Sequence, residues 1–330
     1  MSAEKTPVIA FVFPGQGAQT VGMGKALCAQ APSAKAVFET FNAIVADDLT
    51  RVTFEGPEDT LRRTLYTQPA ILATSLAALA AFQAVCPLQP AVTAGHSLGE
   101  YGALVAAGVL DWPTAARLIH KRASLMEAAD QGAMAAVLGL GKPQVEAALK
   151  DLQTSETVVV ANDNSPLQVV ISGTPAGVAM AEAPLKAAGA KRVVSLPVGG
   201  AFHSPLMQPA AREFNAFLKD FTFGDAACPV ITNVDAAPTT EGALLQEKLA
   251  RQIDHGVQWT DTMAAMVNDL GVTVVIEFGP GKVLTGLIKK THPGVTVFNV
   301  SDTESLDATL AGLKELPGCC NPQTPNACLV

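Results

Sequence analysis

The chain has 330 residues, of which 49% are hydrophobic and 16% charged, with a formal net charge of −8. That length is too great for a small single-layer domain and calls for one large domain with an insertion, or two domains. The composition excludes a disordered chain, and the acidic balance argues against nucleic acid or an anionic membrane as the main partner. The longest apolar stretch, residues 70–85, is interrupted by Thr74, Ser75 and Gln83 and falls short of the ~20 residues of a membrane span. Residues 1–7 lack the basic-then-apolar layout of a signal peptide, so a cytoplasmic protein is expected. None of the six cysteines forms a Cys-x-x-Cys pair or sits at metal-ligand spacing with histidine. Cys28, Cys86 and Cys228 are expected as buried thiols, whereas Cys319, Cys320 and Cys328 fall in a Pro- and Asn-rich tail, 317–330, expected to be disordered.

In chain order, residues 8–13 form a continuous apolar run stopped by Pro14-Gly15, the pattern of a buried strand in a mainly parallel sheet. Helices are predicted over 22–30 and 33–46, with short helices in the polar segment 47–68. Residues 68–85 are apolar nearly all round and predict a helix lying in the core. Residues 91–94 read as a short buried strand, followed by Gly95-His96-Ser97-Leu98-Gly99 and a helical segment from Glu100. Strand, sharp turn and helix around Gly-x-Ser-x-Gly place Ser97 on an exposed corner, with the Leu98 N–H at a helix N-terminus where an oxyanion can be held. A bare Gly-x-Ser-x-Gly also arises by chance in glycine-rich loops; the flanking strand and helix favour the nucleophile. Asp111 and Pro113 open a further helix over 112–129.

The pattern then changes to strand 132–140, helix 142–152, strands 157–161 and 168–172, helix 175–188 and strand 191–197. That order predicts a ferredoxin-like subdomain. The expected fold is therefore α/β, a large α/β-hydrolase-like domain with a mainly parallel sheet, over 1–130 and 199–316, carrying an inserted ferredoxin-like subdomain over 131–198. In the resumed domain, a loop and helix over 203–221, a strand at 229–233, helices at 241–253 and 259–270, a buried strand at 272–278, a helix from 283 and a strand at 296–300 are expected.

A serine nucleophile needs a base. Of the five histidines, His120 lies inside a helix, while His255 and His292 lie in polar loops. His96 adjoins Ser97, so its side chain points elsewhere on the turn, although it can line the site. His203 is the best candidate, in a small-residue loop that follows the subdomain's last strand and returns through the cleft between lobes. The loop 14–19 lies at the carboxyl edge of the sheet and can supply a second oxyanion N–H; its Gly15-x-Gly17 spacing lacks the rest of a nucleotide-binding motif. Arg122 is either a solvated helix residue or, if it faces the cleft, a fork for a substrate carboxylate.

Taken together, Phe13-Pro14-Gly15-Gln16-Gly17-Ala18-Gln19, Gly95-His96-Ser97-Leu98-Gly99-Glu100-Tyr101, Gly132-Ala133-Met134-Ala135-Ala136-Val137, Asn164-Ser165-Pro166, Gln168-Val169-Val170-Ile171-Ser172-Gly173, Ala201-Phe202-His203-Ser204, Val257-Gln258-Trp259 and Glu277-Phe278-Gly279-Pro280-Gly281 resemble the malonyl-CoA:acyl carrier protein transacylases, in that family's order over about residues 8–300. The resemblance implies Ser97 as the acylated nucleophile, His203 as its base, Gln16 and Leu98 as oxyanion donors, and Arg122 as the clamp on the malonyl carboxylate. It also implies that the main chain of Gln252 orients the histidine, and that Asn162 and Asn164 fall in the segment lining the cleft. Ala201-Phe202-His203 is similar to the malonyl-selecting form found in polyketide synthases, with Phe202 limiting room beside the malonyl C2, and differs from the Pro-Ser-His of many stand-alone fatty-acid enzymes. The implied partners are malonyl-CoA and holo acyl carrier protein, with no metal or other cofactor, no nucleic acid and no membrane, and a monomer as the default. Lys191, Arg192, Lys282, Lys289 and Lys290 can supply a basic patch for an acidic carrier, although a solvated face is the simpler reading for any one of them. Two rivals are a serine hydrolase that clears acyl groups from carrier-protein thioesters and a non-catalytic carrier-binding module.

Overall fold

The computed structural model describes residues 6–45 and 48–317, so the cysteine-containing tail from 318 on, expected above to be disordered, lies outside the described residues. The large sheet is built from β1 (Ile9–Phe13), β2 (Val92–Gly95), β7 (Val230–Ile231), β8 (Pro238–Thr239), β9 (Val274–Phe278) and β10 (Thr296–Val300), in the order β10-β9-β1-β2-β7-β8. All neighbours run parallel except the short edge strand β8, which is antiparallel to β7. Every residue of β1, β2 and β9 is buried, as continuous apolar runs require of strands covered on both faces. Alternation divides β1 between two cores: Ile9, Phe11 and Phe13 enter one, Ala10 and Val12 the other.

Helices cover both faces. The N-terminal half supplies α1 (Lys25–Gln30), α2 (Pro32–Ile44), α3 (Leu49–Glu55), α4 (Glu58–Arg62), α5 (Thr64–Val85), α6 (Gly99–Ala106) and α7 (Trp112–Ala128). The sequence expectation of no membrane-length apolar segment is corrected here: α5 has 22 residues and is apolar enough to pass for a span by length and composition. Thr74 does not break it, because its Oγ1 returns its hydrogen bond to the Ala70 carbonyl one turn back (2.8 Å). Almost all of α5 is packed inside the molecule, with Phe82 at the edge of the Phe11 and Phe278 rings. Helix α7 starts where predicted, with Asp111 accepting from the Thr114 N–H and Pro113 in the first turn.

The second sheet contains β3 (Ala133–Leu138), β4 (Val158–Ser165), β5 (Gln168–Gly173) and β6 (Arg192–Ser195), in the order β4-β5-β3-β6 and antiparallel throughout. With α8 (Lys142–Lys150) and α9 (Pro175–Ala187) this is the ferredoxin-like arrangement the sequence predicts. Ala135, Val137, Val169 and Ile171 pack with Val145 of α8 and with Val178, Ala181 and Leu185 of α9. The alternate residues Met134 and Val170 turn the other way and join the core of the large domain. Backbone bonds tie β4 to the segment at Val257, outside the large sheet: Asp163 N–H donates to Val257 O (2.9 Å) and Val257 N–H to Ala161 O (2.8 Å).

The chain is completed by α10 (Gln208–Leu218), α11 (Gly242–Arg251), α12 (Trp259–Ala264), α13 (Val283–Thr291) and α14 (Thr303–Lys314). The single helix predicted over 259–270 is instead α12 followed by a π-helical turn, Ala265–Asp269. The sequence reading did not identify α14, although Asp302 caps it by accepting from the Ser305 N–H (2.8 Å).

Candidate active site

Ser97 lies directly after β2 and ahead of α6, with φ 52, a left-handed conformation that costs energy for a residue with a Cβ. Two glycines let the turn close. A Cβ on Gly95 would stand 2.0 Å from the Gly99 carbonyl group, and one on Gly99 would stand 2.1 Å from Phe13 O. Backbone of β1, elbow and helix therefore touch with no space for side chains, the requirement of a nucleophile elbow. The Ser97 N–H donates to Asn233 Oδ1 (2.7 Å), and Asn233 Nδ2 donates to Gly95 O (2.6 Å).

His203 arrives on the loop before α10 and is also held at positive φ, 58. Its Nε2 stands 2.8 Å from Ser97 Oγ, while its Nδ1 faces the carbonyl oxygens of Gln252 (2.9 Å) and His255 (3.1 Å). Carbonyls only accept, so Nδ1 carries the proton and Nε2 is left as the acceptor for the serine hydroxyl. Burial and then the nearby Arg122 charge lower the His203 pKa to about 3, so at neutral pH the imidazole is an uncharged base.

Arg122 is fully buried on α7. It faces the site, which sequence reasoning had left open. Nη1 donates to Gln68 Oε1 (2.7 Å), and Nη2 to Ser97 Oγ (3.0 Å) and Gln252 Oε1 (3.0 Å). Its Nε is buried without a hydrogen-bond partner, and among the described residues no carboxylate forms an ion pair with it. A dehydrated guanidinium held only by neutral oxygens favours an incoming carboxylate.

A pocket of about 200 Å³ opens on Ser97, His203 and Arg122 and is also walled by Gln16, Leu98 and His96. The small sheet contributes Met134, Asn162 and Val170 from the face turned away from α8 and α9. Phe202 also lines the pocket. Neither the Gln16 nor the Leu98 N–H has an acceptor among the described residues, which leaves both available to an oxyanion. Asn162 Oδ1 is buried without a partner. Asn164, two residues on along β4 and past an irregularity in the β4–β5 register, is buried beside His96, whose Nε2 lies 2.7 Å from its Oδ1. Burial lowers the pKa of His96, and its ring packs against Trp259 at 5.6 Å.

Sequence reasoning missed Gln68, Asn233 and Glu100. Gln68 lies within an apolar helix, where a lone amide is the one available signal. Glu100 sits in the first turn of α6, the usual place for an exposed acid, yet it is 1% exposed and burial pushes its carboxyl up to about 7. Lys191, Arg192, Lys282, Lys289 and Lys290 are all exposed. Among the described residues no group of three His, Cys, Asp or Glu side chains could hold a metal ion.

The acyl transferase domain family matches residues 10–314. Malonyl CoA-acyl carrier protein transacylase of Bacillus subtilis strain 168 is 43% identical over 311 residues, covering 93% of this chain and 98% of its own. The crystal structure of an acyl carrier protein S-malonyltransferase from Vibrio cholerae superposes with a TM-score of 0.87 at 42% identity, over 91% of this chain and 99% of that one. A malonyl-transacylase solved in complex with its type II polyketide-synthase acyl-carrier protein gives 0.89 at 39% identity, over 92% and 99%. With its elbow serine, neutral histidine and buried arginine in one pocket, the chain belongs to the acyl transferase domain family.

Proposed function

We propose that this protein transfers a malonyl group from malonyl-CoA to the phosphopantetheine thiol of an acyl carrier protein through a malonyl-serine intermediate, for fatty-acid or polyketide synthesis. The observation that carries the reading is Arg122, a buried guanidinium 3.0 Å from Ser97 Oγ with no carboxylate paired to it among the described residues. An acyl group whose far end is a carboxylate completes that site, which weighs against the acyl-clearing hydrolase.

In the first half-reaction Ser97 Oγ attacks the thioester carbon while His203 Nε2 takes its proton. The Gln16 and Leu98 N–H groups hold the oxyanion, Arg122 holds the malonyl carboxylate, and CoA leaves as the thiol with the proton from His203. The Gln252 carbonyl keeps the proton on Nδ1 throughout, in place of a triad acid. In the second half-reaction the carrier thiol gives its proton to His203 and attacks the acyl-serine; as the acyl–Oγ bond breaks, His203 Nε2 returns the proton to Ser97 Oγ, which regenerates the free hydroxyl. Asn162, His96 and Phe202 shape the acyl pocket, and Asn164 acts through His96. Residues 1–130 and 199–316 form the catalytic lobe and 131–198 the smaller one. Every residue invoked comes from one chain, so a monomer suffices.

Arg122→Ala tests the reading. Truncating one partner of a buried charge pair costs about 2–5 kcal/mol, so malonyl transfer should fall by about thirtyfold or more while acetyl transfer, which offers no carboxylate, changes far less. Equal losses for the two acyl groups in steady-state assays would remove the clamp.

A further inference from the structure

The nucleophile elbow rests on a buried carboxylate. Glu100 Oε2 accepts from the Asn233 N–H (3.0 Å) and from Gln252 Nε2 (2.8 Å). Both partners reach the nucleophile: Asn233 Oδ1 holds the Ser97 N–H, and Gln252 Nε2 also donates to the Ser97 carbonyl (2.9 Å). The other end of the Gln252 amide, Oε1, accepts from Arg122 Nη2. A side-chain amide fits such a slot in two orientations. Glu100 Oε2 already accepts from the Asn233 N–H and the guanidinium of Arg122 only donates, so Glu100 takes the NH₂ end and the amide oxygen goes to Arg122. Flipped, the amide would set its oxygen against Glu100 and the Ser97 carbonyl, and its NH₂ against Arg122, with every contact unfavourable. An acid that served only the α6 dipole would gain nothing from full burial.

On the reading of the site as a malonyl transferase, we propose that Glu100 is a positioning residue for acyl transfer: it fixes the Gln252 amide, which aims Arg122 at the acyl carboxylate, and with Asn233 it holds the Ser97 turn. Glu100 does not touch substrate in this account.

The experiment compares Glu100→Gln, which keeps an acceptor oxygen at the same reach, with Glu100→Asp, which is one methylene too short to hold Gln252. Each is assayed for kcat/KM with malonyl-CoA and with acetyl-CoA, with thermal melts to establish folding. A hydrogen bond to a charged group is worth enough to move a rate about tenfold. Glu100→Asp should therefore lower the malonyl-to-acetyl preference by about that factor, and Glu100→Gln should restore most of it. An unchanged preference in Glu100→Asp, whatever happens to the absolute rates, overturns the proposal, as does a Glu100→Gln enzyme as impaired as Glu100→Asp. If Glu100→Asp does not fold, Gln252→Leu cuts the same link one residue later and should shift the preference in the same direction; no shift overturns the proposal. A wild-type enzyme that is not malonylated would sink the substrate reading, whereas a malonylated wild type with an insensitive preference would sink only the role of Glu100.

Discussion

At the scale of single residues, the site depends on which groups are charged. Arg122 keeps its charge although fully buried, and His203 stays neutral because burial and that same charge oppose its protonation. The consequence for stability has a definite sign. The folded-state pKa of His203 is about 3, below the ordinary value of 6.5. The unfolded chain therefore binds more protons between those values, and the stabilising contribution present above pH 6.5 is lost as pH falls toward 3. His203→Asn removes this titration. From pH 7.5 to 4.5 the wild type should lose about 3 kcal/mol more than the variant, read from denaturant melts at the two pH values. Parallel losses in the two proteins would show that His203 is not held neutral by the fold.

At the scale of elements, the turn between β2 and α6 is the tightest junction in the site. Gly99→Ala places a methyl group 2.1 Å from Phe13 O, a backbone atom that cannot step aside. It should cost more than about 3 kcal/mol or prevent folding, and should abolish acylation. Gly286→Ala, inside α13 with nothing within 4 Å of the added carbon, should be neutral or stabilise by up to about 1 kcal/mol. Melting temperatures of the pair separate the two, and equal shifts would contradict the packing account. The elbow was legible in the sequence because its constraints are local: an apolar strand, two glycines and a helical segment within about ten residues. The small lobe was legible because periodicity switches with each strand and helix. The network beneath the elbow was not. Gln68, Glu100, Asn233 and Gln252 come from four separate segments, and only the fold brings them within hydrogen-bond reach. Helix α14 was missed because its capping signal, Asp302 with Ser305, precedes a segment of mixed polarity. The break of the 259–270 helix into α12 and a π-helical turn leaves no mark in composition.

At the scale of the whole molecule, the pocket is made by two sheets of different kinds. The parallel sheet delivers Ser97 and the Gln16 loop at its carboxyl edge, the usual place for a site in an open α/β sheet. The antiparallel sheet gives one face to α8 and α9 and the other, through Met134 and Val170, to the pocket wall. Backbone hydrogen bonds between β4 and Val257 fasten that wall to the large domain next to the loop whose His255 and Gln252 carbonyls hold His203. The lobes therefore share the architecture of the base as well as the pocket. The central claim is that this assembly carries a malonyl group on Ser97 between two thiols. Its most direct test is intact-mass and peptide analysis of the enzyme after exposure to malonyl-CoA, followed by addition of holo acyl carrier protein. The account predicts one malonyl group on the peptide containing Ser97, absent in Ser97→Ala, and its movement onto the carrier. No adduct, an adduct that survives in Ser97→Ala, or discharge mainly as free malonate with the carrier present would contradict it.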